Sequence, residues 1–301
     1  MHLRTILIPA AGLGTRLLPA TKAVPKELLA VYDRPVLQFA IDEAIAAGAE
    51  RVVVVIHPDK LAIRDYLQPD DALVHSLNAD GKAELGTRLA AVQVPATMEL
   101  VFAFQNHPLG LGHAISCGVG LVLPGPVGVI LPDDVILGTP CIAEMADAYR
   151  GGHMVAAMTV PATEAQHYGM FRLLGATGGR CIAVSSMVEK PEPGTEPSLL
   201  AAVGRYILDP SIFSTLKATR RGVGAEIQLT DAITQDASRL ALTAFRFSGQ
   251  RYDCGSHDGL LAAAQARQLQ VKQRRNGLAA PWGAAGLKAR LNRFDAAIAA
   301  Q

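Results

Sequence analysis

The amino-acid sequence predicts an α/β protein with a Rossmann-like, doubly wound and mostly parallel sheet. The first half of the chain alternates short β-rich runs with helical patterns, and strands connected in this way pair in parallel through right-handed crossovers. Half of the 301 residues are apolar, which suffices for a sizeable core. Glycines and charged residues cluster directly after predicted strands, where sheets of this class bind their ligands.

The elements of the first half follow one another in a regular order. Residues 3–8 form a short apolar run that we interpret as the first strand. Pro35 opens and Gly48 closes a helix whose apolar residues recur at helical spacing. The consecutive valines of Arg51–Ile56 predict a strand buried on both faces, as central parallel strands are. The remaining predictions for this half are a helix at 59–67, a strand at 99–104, a helix at 112–122 and a strand at 127–131.

The second half is predicted to be less regular. Its expected elements are strands at 153–160, 201–208 and 240–247, a loop-rich stretch at 168–197, a helix after Thr230 and a long helix at 257–276. We expect a main domain at 1–277, with halves at 1–160 and 161–256. The segment 278–301 is predicted to be a C-terminal helical arm and an oligomer contact in a homodimer or homotetramer.

Charge and cysteine content exclude several classes of protein. With 28 Lys and Arg against 27 Asp and Glu, the net charge of +1 favours neither nucleic acid nor an anionic membrane as a partner. No stretch approaches the roughly 18 apolar residues of a membrane span. The four cysteines form no CxxC pair, which argues against a zinc site or a disulfide framework. We therefore expect a cytoplasmic protein in which most thiols are buried and inert.

The strongest local signal is the loop GLGTRLLPATKAVPKE, which spans residues 12–27 and follows the first predicted strand. Gly12 and Gly14 allow backbone N–H groups to turn toward a phosphate, while Arg16 and Lys26 supply positive charge for a triphosphate. The loop lacks the Gly-Lys-Ser/Thr ending of a Walker A motif and the third glycine of a dinucleotide fingerprint. Taken alone, the glycine pair fits an ordinary tight turn equally well.

The complete loop resembles the signature of sugar-1-phosphate nucleotidylyltransferases, and PATKAVPKE resembles the uridylyltransferase branch of that family. Similar segments follow in the family's order over nearly the whole chain: QNHPLGLGHA, VILPDD, HYGMF, VEKP, VGRY, GAEIQLTDAI and YDCGSHDG. The resemblance implies an enzyme with a sugar-binding subregion beside its nucleotide-binding half. The implied reaction is uridylyl transfer from UTP to glucose 1-phosphate with Mg²⁺, which gives UDP-glucose and pyrophosphate.

The resemblance also implies which residues contact the nucleotide. Arg16 and Lys26 would be catalytic, because they would hold the triphosphate and stabilise charge on the α-phosphate and on the leaving pyrophosphate. The other expected nucleotide contacts lie in the glycine loop and in QNHPLGLGHA: Ala10, Ala11, Gly12, Gly14, Thr15, Glu27, Gln105 and Gly110. Both reactants are anionic, so catalysis would consist of positioning and charge neutralisation, without a general base.

The metal and the sugar phosphate are expected at the later segments. Asp133 and Asp253 are hard oxygen ligands from opposite halves of the sequence and would hold Mg²⁺ between the two phosphate groups, either as a preformed pair or with Asp253 joining on substrate binding. Lys190 would hold the phosphate of glucose 1-phosphate, and Glu189 would accept hydrogen bonds from sugar hydroxyls. The full set expected to bind the sugar phosphate is Asp133, Gly169, Glu189, Lys190 and Val203, of which Gly169 and Val203 would act through their main chains.

Two features of the sequence bear on these assignments. Asp134, which follows an apolar strand, is interpreted as a turn or N-cap residue rather than a ligand. The family has a smaller apolar pair after its Tyr-Gly, whereas Met170 and Phe171 occupy these positions here, which makes the shape of the sugar pocket an open question.

Two alternative functions follow from the same resemblance. The first is a sister activity with a different base or hexose, since a few hydrogen bonds choose the base. The second is a non-catalytic regulatory paralogue that binds nucleotide sugar. Such paralogues lack the Thr-Arg pair of the loop, so Thr15 and Arg16 favour the enzyme.

Overall fold

The computed structural model describes residues 3–175, 177–220, 222 and 225–276, so the predicted arm at 278–301 lies outside the described residues. The strands are β1 (Thr5–Pro9), β2 (Ala30–Val31), β3 (Arg34–Pro35), β4 (Arg51–Ile56), β5 (Glu99–Phe104), β6 (Val127–Ile130), β7 (Asp134–Leu137), β8 (His153–Thr159), β9 (Gly169–Leu173), β10 (Cys181–Glu189), β11 (Leu200–Leu208), β12 (Leu242–Arg246) and β13 (Gln250–Asp253). The α-helices are α1 (Val36–Ala46), α2 (Leu61–Leu67), α3 (Asp71–Ala79), α4 (Ala83–Ala90), α5 (Leu111–Cys117), α6 (Cys141–Ala148), α7 (Ile212–Ala218), α8 (Leu229–Asp236) and α9 (His257–Arg275).

The central sheet has nine strands in the order β5-β4-β1-β6-β11-β8-β12-β10-β9. Its first four strands are all parallel, as the alternation of strands and helices predicts. The other part mixes parallel and antiparallel pairs, because β11 runs antiparallel to both β6 and β8 while β12 runs parallel to β8. The α/β class and the parallel, doubly wound arrangement of the first half are confirmed.

Both faces of this sheet are covered by helices. The valines of β4 alternate between two apolar clusters, so Val52 and Val54 pack with α1 and α6 while Val53 and Val55 pack with α5, α7 and α8. All four valines are completely buried, which explains why β4 reads as a continuous apolar run.

The loop-rich interpretation of 168–197 is wrong for the 14 residues of two strands within this stretch. Strands β9 and β10 occupy this stretch and pair in antiparallel register, with a bulge between Val184 and Ser186. Only one face of β10 is consistently buried, so its sequence is not a continuous apolar run. Ser185 and Ser186, at the bulge, interrupt the apolar pattern further.

Several helices were not predicted from the sequence. Helix α3 has no buried residue, and α4 buries only Gly86, so neither packs an apolar face into the core. Across the described residues, no helix has the length and apolar character needed to cross a membrane. The four cysteines are free thiols, of which Cys141 and Cys254 are buried, as expected for most of them, while Cys117 is partly buried and Cys181 is exposed.

A second, two-stranded sheet brings the two halves of the chain together beside β6. In it β13 pairs antiparallel with β7, and Asp253 lies opposite Asp134. The loop that follows β1 and the turn between β6 and β7 therefore lie at neighbouring strand ends, with β13 alongside. This edge is the place where doubly wound sheets bind ligands.

Candidate active site

The glycine loop leaves β1 with its amide groups available. Ala10 is buried and its N–H still joins β4, but the amides of Ala11, Gly12 and Leu13 have no hydrogen-bond partner within the described residues. A side chain at Gly12 would meet no atom within 4 Å, so the space beside the loop is open. Successive unpaired amides beside open space form the kind of concavity that binds phosphate.

The conformation of the loop depends on Gly14. Its φ of 68° is in the left-handed region, and its carbonyl accepts a hydrogen bond from Thr21 Oγ1 at 2.8 Å. A Cβ at this position would lie 3.3 Å from the Cβ of Lys26. Gly14 thus allows the start and the end of the loop to approach, and Thr15 then begins a short 3-10 turn that carries Arg16.

Lys60 is a component of the site that the sequence did not indicate. Its Nζ donates to both carboxylate oxygens of Glu27, at 2.9 and 3.1 Å, and to the carbonyls of Ala10 and Gly12. In a trans peptide the C=O and N–H groups point in opposite directions, so the amides that follow these two carbonyls point away from Lys60. The lysine therefore turns the loop's N–H groups outward.

Glu27 does not face the open side of the loop. It is completely buried, and Lys60 contacts both of its oxygens. Burial raises the pKa of Glu27, and it lowers that of Lys60, although each group's charge opposes the shift of the other. In this structure Glu27 acts on the loop through Lys60.

Two cations and two carboxylates meet at the mouth of the loop. Lys26 Nζ lies 2.5 Å from Asp133 Oδ2, and Arg16 lies 3.9 Å from the same oxygen and 3.4 Å from Asp253 Oδ2. Burial opposes ionisation of Asp133, but the charge and hydrogen bond of Lys26, a backbone hydrogen bond and the charge of Arg16 together lower the pKa of that carboxyl. Lys26 and Asp133 are largely buried, whereas the Arg16 side chain is 62% exposed and free to contact a ligand.

Backbone pairing explains why Asp133 and Asp253 lie together. The N–H of Cys254 donates to the carbonyl of Asp133 at 2.8 Å, and the N–H of Gly255 fixes Asp253 Oδ1 at 3.0 Å. Among the described residues there is no group of three or more His, Cys, Asp or Glu side chains that would hold a metal without help. Two carboxylates match Mg²⁺, which binds through one or two carboxylates together with substrate phosphates.

A buried ion pair stabilises the turn between β6 and β7 that carries Asp133, called here the acidic turn. Arg205 is 1% exposed, makes a two-pronged contact with Glu43, and donates to the carbonyls of Leu131 and Asp134. These bonds fix both ends of the turn that carries Asp133. The VGRY segment was predicted for the sugar side, and this structural role of its arginine was not.

The segment expected to contact the base, QNHPLGLGHA, packs closely against the backbone near Ile227. Gln105 is buried, and its Nε2 donates to the carbonyl of Gly110 at 3.2 Å and lies 2.9 Å from His113 Nδ1. Gly110 has a φ of 95°, and a Cβ there would lie 2.7 Å from Glu226 Cβ and 3.0 Å from the carbonyl of Ile227. Only glycine fits this position.

The residues expected on the sugar side form a second group. Gly169 pairs with Glu189 across β9 and β10, and a Cβ on Gly169 would lie 3.3 Å from Glu189 Oε2. Thr230 Oγ1 donates to that carboxylate at 2.6 Å, and Lys190 Nζ lies 3.7 Å from its other oxygen. The Lys190 side chain is more than half exposed.

The bulky pair that follows Gly169 packs into the core. Met170 and Phe171 are completely buried and belong to the apolar clusters below the sheet surface. Val203 is also buried, in the apolar cluster on the other face of the sheet from Phe171.

The chain resembles known proteins in its sequence. Residues 5–269 match the nucleotidyl transferase family. The chain is 38% identical to the UTP–glucose-1-phosphate uridylyltransferase of Bacillus subtilis over 278 residues, 91% of this chain and 94% of that protein. It is 40% identical to the enzyme of that name from Staphylococcus epidermidis over 263 residues, 86% of this chain and 90% of that one.

Two solved structures resemble the fold closely. A UTP-bound UGPase from Acinetobacter baumannii has a TM-score of 0.82 and 32% identity, and the match covers 97% of this chain and 99% of that one. A UDP-glucose pyrophosphorylase complexed with UDP-glucose has a TM-score of 0.77 and 34% identity, with 89% of this chain and 99% of that one covered.

Proposed function

The chain belongs to the nucleotidyl transferase family, and from this membership we propose that it transfers the uridylyl group of UTP to α-D-glucose 1-phosphate. The products are UDP-glucose and pyrophosphate. The observation that supports this most directly is the cluster of Arg16, Lys26, Asp133 and Asp253 beside the unpaired amides of the glycine loop.

The chemistry requires two anions to meet. An oxygen of the sugar phosphate forms a bond to the α-phosphorus, the bond from that phosphorus to the bridging oxygen breaks, and the electron pair leaves with pyrophosphate. Lys26 and Arg16 neutralise the α-phosphate and the leaving group, which lowers the barrier electrostatically. The attacking oxygen is already ionised near neutral pH, so no side chain has to remove a proton.

Mg²⁺ fits the carboxylate pair. Asp133 and Asp253 would hold it, and when bound it would supply positive charge to the two phosphate groups and align them. Lys26 contacts Oδ2 of Asp133, so the lysine would lie beside the bound ion.

The loop and QNHPLGLGHA hold the nucleotide. The amides of Ala11, Gly12 and Leu13 face the phosphates, and Lys60, which is paired with Glu27, keeps those of Ala11 and Leu13 turned outward. Gln105 Oε1 has no hydrogen-bond partner among the described residues and is an acceptor for the N3–H of uracil.

Lys190 and Glu189 serve the sugar phosphate. The exposed ammonium of Lys190 binds its phosphate, and the carboxylate of Glu189, fixed by Thr230, accepts hydrogen bonds from sugar hydroxyls. Gly169 and Val203 offer backbone groups. We further place the protein in the cytoplasm as a homodimer or homotetramer; its free thiols support the reducing compartment.

A product assay tests the proposal. Purified protein is incubated with Mg²⁺, each of UTP, dTTP, CTP and GTP, and either glucose 1-phosphate or galactose 1-phosphate, and pyrophosphate release is measured. UTP with glucose 1-phosphate is expected to give the highest kcat/KM. A preference for dTTP would identify a sister activity, and no release with any pair would identify a regulatory paralogue.

A further inference from the structure

Arg251 of β13 connects segments that lie far apart in the chain. Its Nε donates to Asp134 Oδ1 at 2.6 Å, and its Nη1 donates to the hydroxyl of Tyr168 at 3.0 Å. The guanidinium also lies over the Tyr168 ring, 5.5 Å from its centroid, and 3.9 Å from Asp253 Oδ2. The Arg251 side chain is only 14% exposed, so these contacts fix it.

Asp134 extends this connection into β11. Asp134 closes the turn after β6, as predicted, through its N–H and the carbonyl of Leu131, and it also begins β7. Its other oxygen, Oδ2, accepts from the N–H of Gly204 at 2.8 Å. The pairing of β11 with β8 shifts between Ala202 and Tyr206, which frees that N–H from the sheet. A Cβ on Gly204 would lie 2.6 Å from Asp134 Oδ2, so glycine is required.

Tyr168 is held at both ends. Its hydroxyl accepts from Arg251, and its carbonyl accepts from the N–H of Lys190 at 3.0 Å. Tyr168 directly precedes Gly169, just as Gly204 directly follows Val203 and Asp134 directly follows Asp133.

We propose that Arg251, Asp134 and Tyr168 form a positioning unit that sets the sugar-phosphate subsite at a fixed place relative to the acidic turn. This inference rests on the proposed function. Arg251 and Asp134 neutralise each other and are almost buried, so they act through their neighbours rather than on the substrate. Loss of the unit misplaces glucose 1-phosphate and leaves the nucleotide loop unchanged, since Lys60 and Glu27 hold that loop independently.

Tyr168→Phe is the first test, because it removes one hydroxyl and keeps the ring. We expect KM for glucose 1-phosphate to rise about tenfold, the effect of one hydrogen bond to a charged group, while KM for UTP changes less than about twofold. Tyr66→Phe is the matched control. It removes a single hydroxyl bond to Gln38, outside the site, and both KM values should stay unchanged.

Arg251→Lys is the second variant, since a lysine keeps the charge but cannot bridge Asp134 and Tyr168 in the same way. It should raise KM for glucose 1-phosphate at least as much as Tyr168→Phe does. The double variant Tyr168→Phe/Arg251→Lys should raise this KM little beyond the larger of the two single effects. Additive effects, equal rises in both KM values, or wild-type KM values would overturn the inference. If wild-type protein releases no pyrophosphate from UTP and glucose 1-phosphate, the proposed function itself fails.

Discussion

Lys26 Nζ and Asp133 Oδ2 lie 2.5 Å apart although 107 positions separate the two residues in the chain. The charge of each stabilises the charged form of the other: against the effect of burial, Asp133 raises the pKa of Lys26 and Lys26 lowers the pKa of Asp133. The lysine proposed to face the α-phosphate and the carboxylate proposed to bind Mg²⁺ are therefore held together at one sheet edge.

Lys26→Ala is expected to reduce kcat by a factor of about 10²–10³, because it removes positive charge beside the reacting phosphorus. Pyrophosphate release measures turnover, and circular dichroism checks the fold. Lys22→Ala is the control, since Lys22 is an exposed lysine of the same loop. Near-normal kcat in a folded Lys26→Ala protein would show that Lys26 is not a catalytic residue.

Asp133→Asn is expected to abolish turnover and to weaken metal binding. An amide oxygen is a poorer ligand for Mg²⁺ than a carboxylate, and the substitution also leaves Lys26 without its partner. The affinity for Mn²⁺, a paramagnetic substitute for Mg²⁺, is measured with UTP present and does not depend on turnover. Asp65→Asn, at an exposed position on α2, should bind the ion as wild type does. Unchanged Mn²⁺ affinity in Asp133→Asn would count against Asp133 as a ligand.

Gly110→Ala is expected to raise KM for UTP and to lower the free energy of unfolding by about 1–3 kcal/mol. The new Cβ would collide with Glu226 and with the backbone of Ile227, at a residue whose φ is 95°. Gly120→Ala is the matched control, because a Cβ there meets no atom within 4 Å. Equal behaviour of the two variants would show that the segment adapts to the extra methyl group.

The parts of the fold that the sequence predicts best are those in which packing follows local pattern. β4 and β5 begin and end where predicted, because each consists of apolar residues after a charged first residue, Arg51 in β4 and Glu99 in β5. Helices α3 and α4 escaped prediction because they bury almost nothing. Strands β9 and β10 escaped it because their polar faces resemble a loop.

The same distinction applies to the site. Lys26 and Asp133 lie in recognisable segments, and the structure brings them together. Lys60, Arg205 and Arg251 carry no local signal, since their partners Glu27, Glu43 and Asp134 are 33, 162 and 117 positions away. Their contribution depends on tertiary contacts that only the folded chain creates.

His153 is expected to make stability depend on pH. It is fully buried, its Nδ1 accepts from the N–H of Asp209, and its Nε2 therefore carries the proton that is donated to Asp236. Burial lowers the pKa of His153 in the folded protein, so below about pH 6.5 the unfolded chain takes up a proton first. The free energy of unfolding should fall with decreasing pH there, by up to about 1.4 kcal/mol per pH unit.

Urea unfolding at about pH 7 and pH 5.5 measures this dependence. His153→Gln keeps an N–H donor for Asp236 but cannot titrate, so its stability should change less between the two pH values than that of wild type. His75→Gln, at an exposed position of α3, should retain the full wild-type dependence. The same pH dependence in His153→Gln as in wild type would assign it to other groups.

Lys60→Met is expected to lower the free energy of unfolding by about 3–5 kcal/mol, because it leaves the fully buried Glu27 without its partner. Adding Glu27→Gln removes the uncompensated charge and should restore much of that stability. KM for UTP should be higher than in wild type in both the single and the double variant. The reason is that the carbonyls of Ala10 and Gly12 lack the donor that turns the loop amides outward. Lys82→Met, which breaks only an exposed pair with Asp80, should change stability by less than about 1 kcal/mol. A double variant with wild-type KM for UTP would show that the ion pair stabilises the fold without orienting the loop.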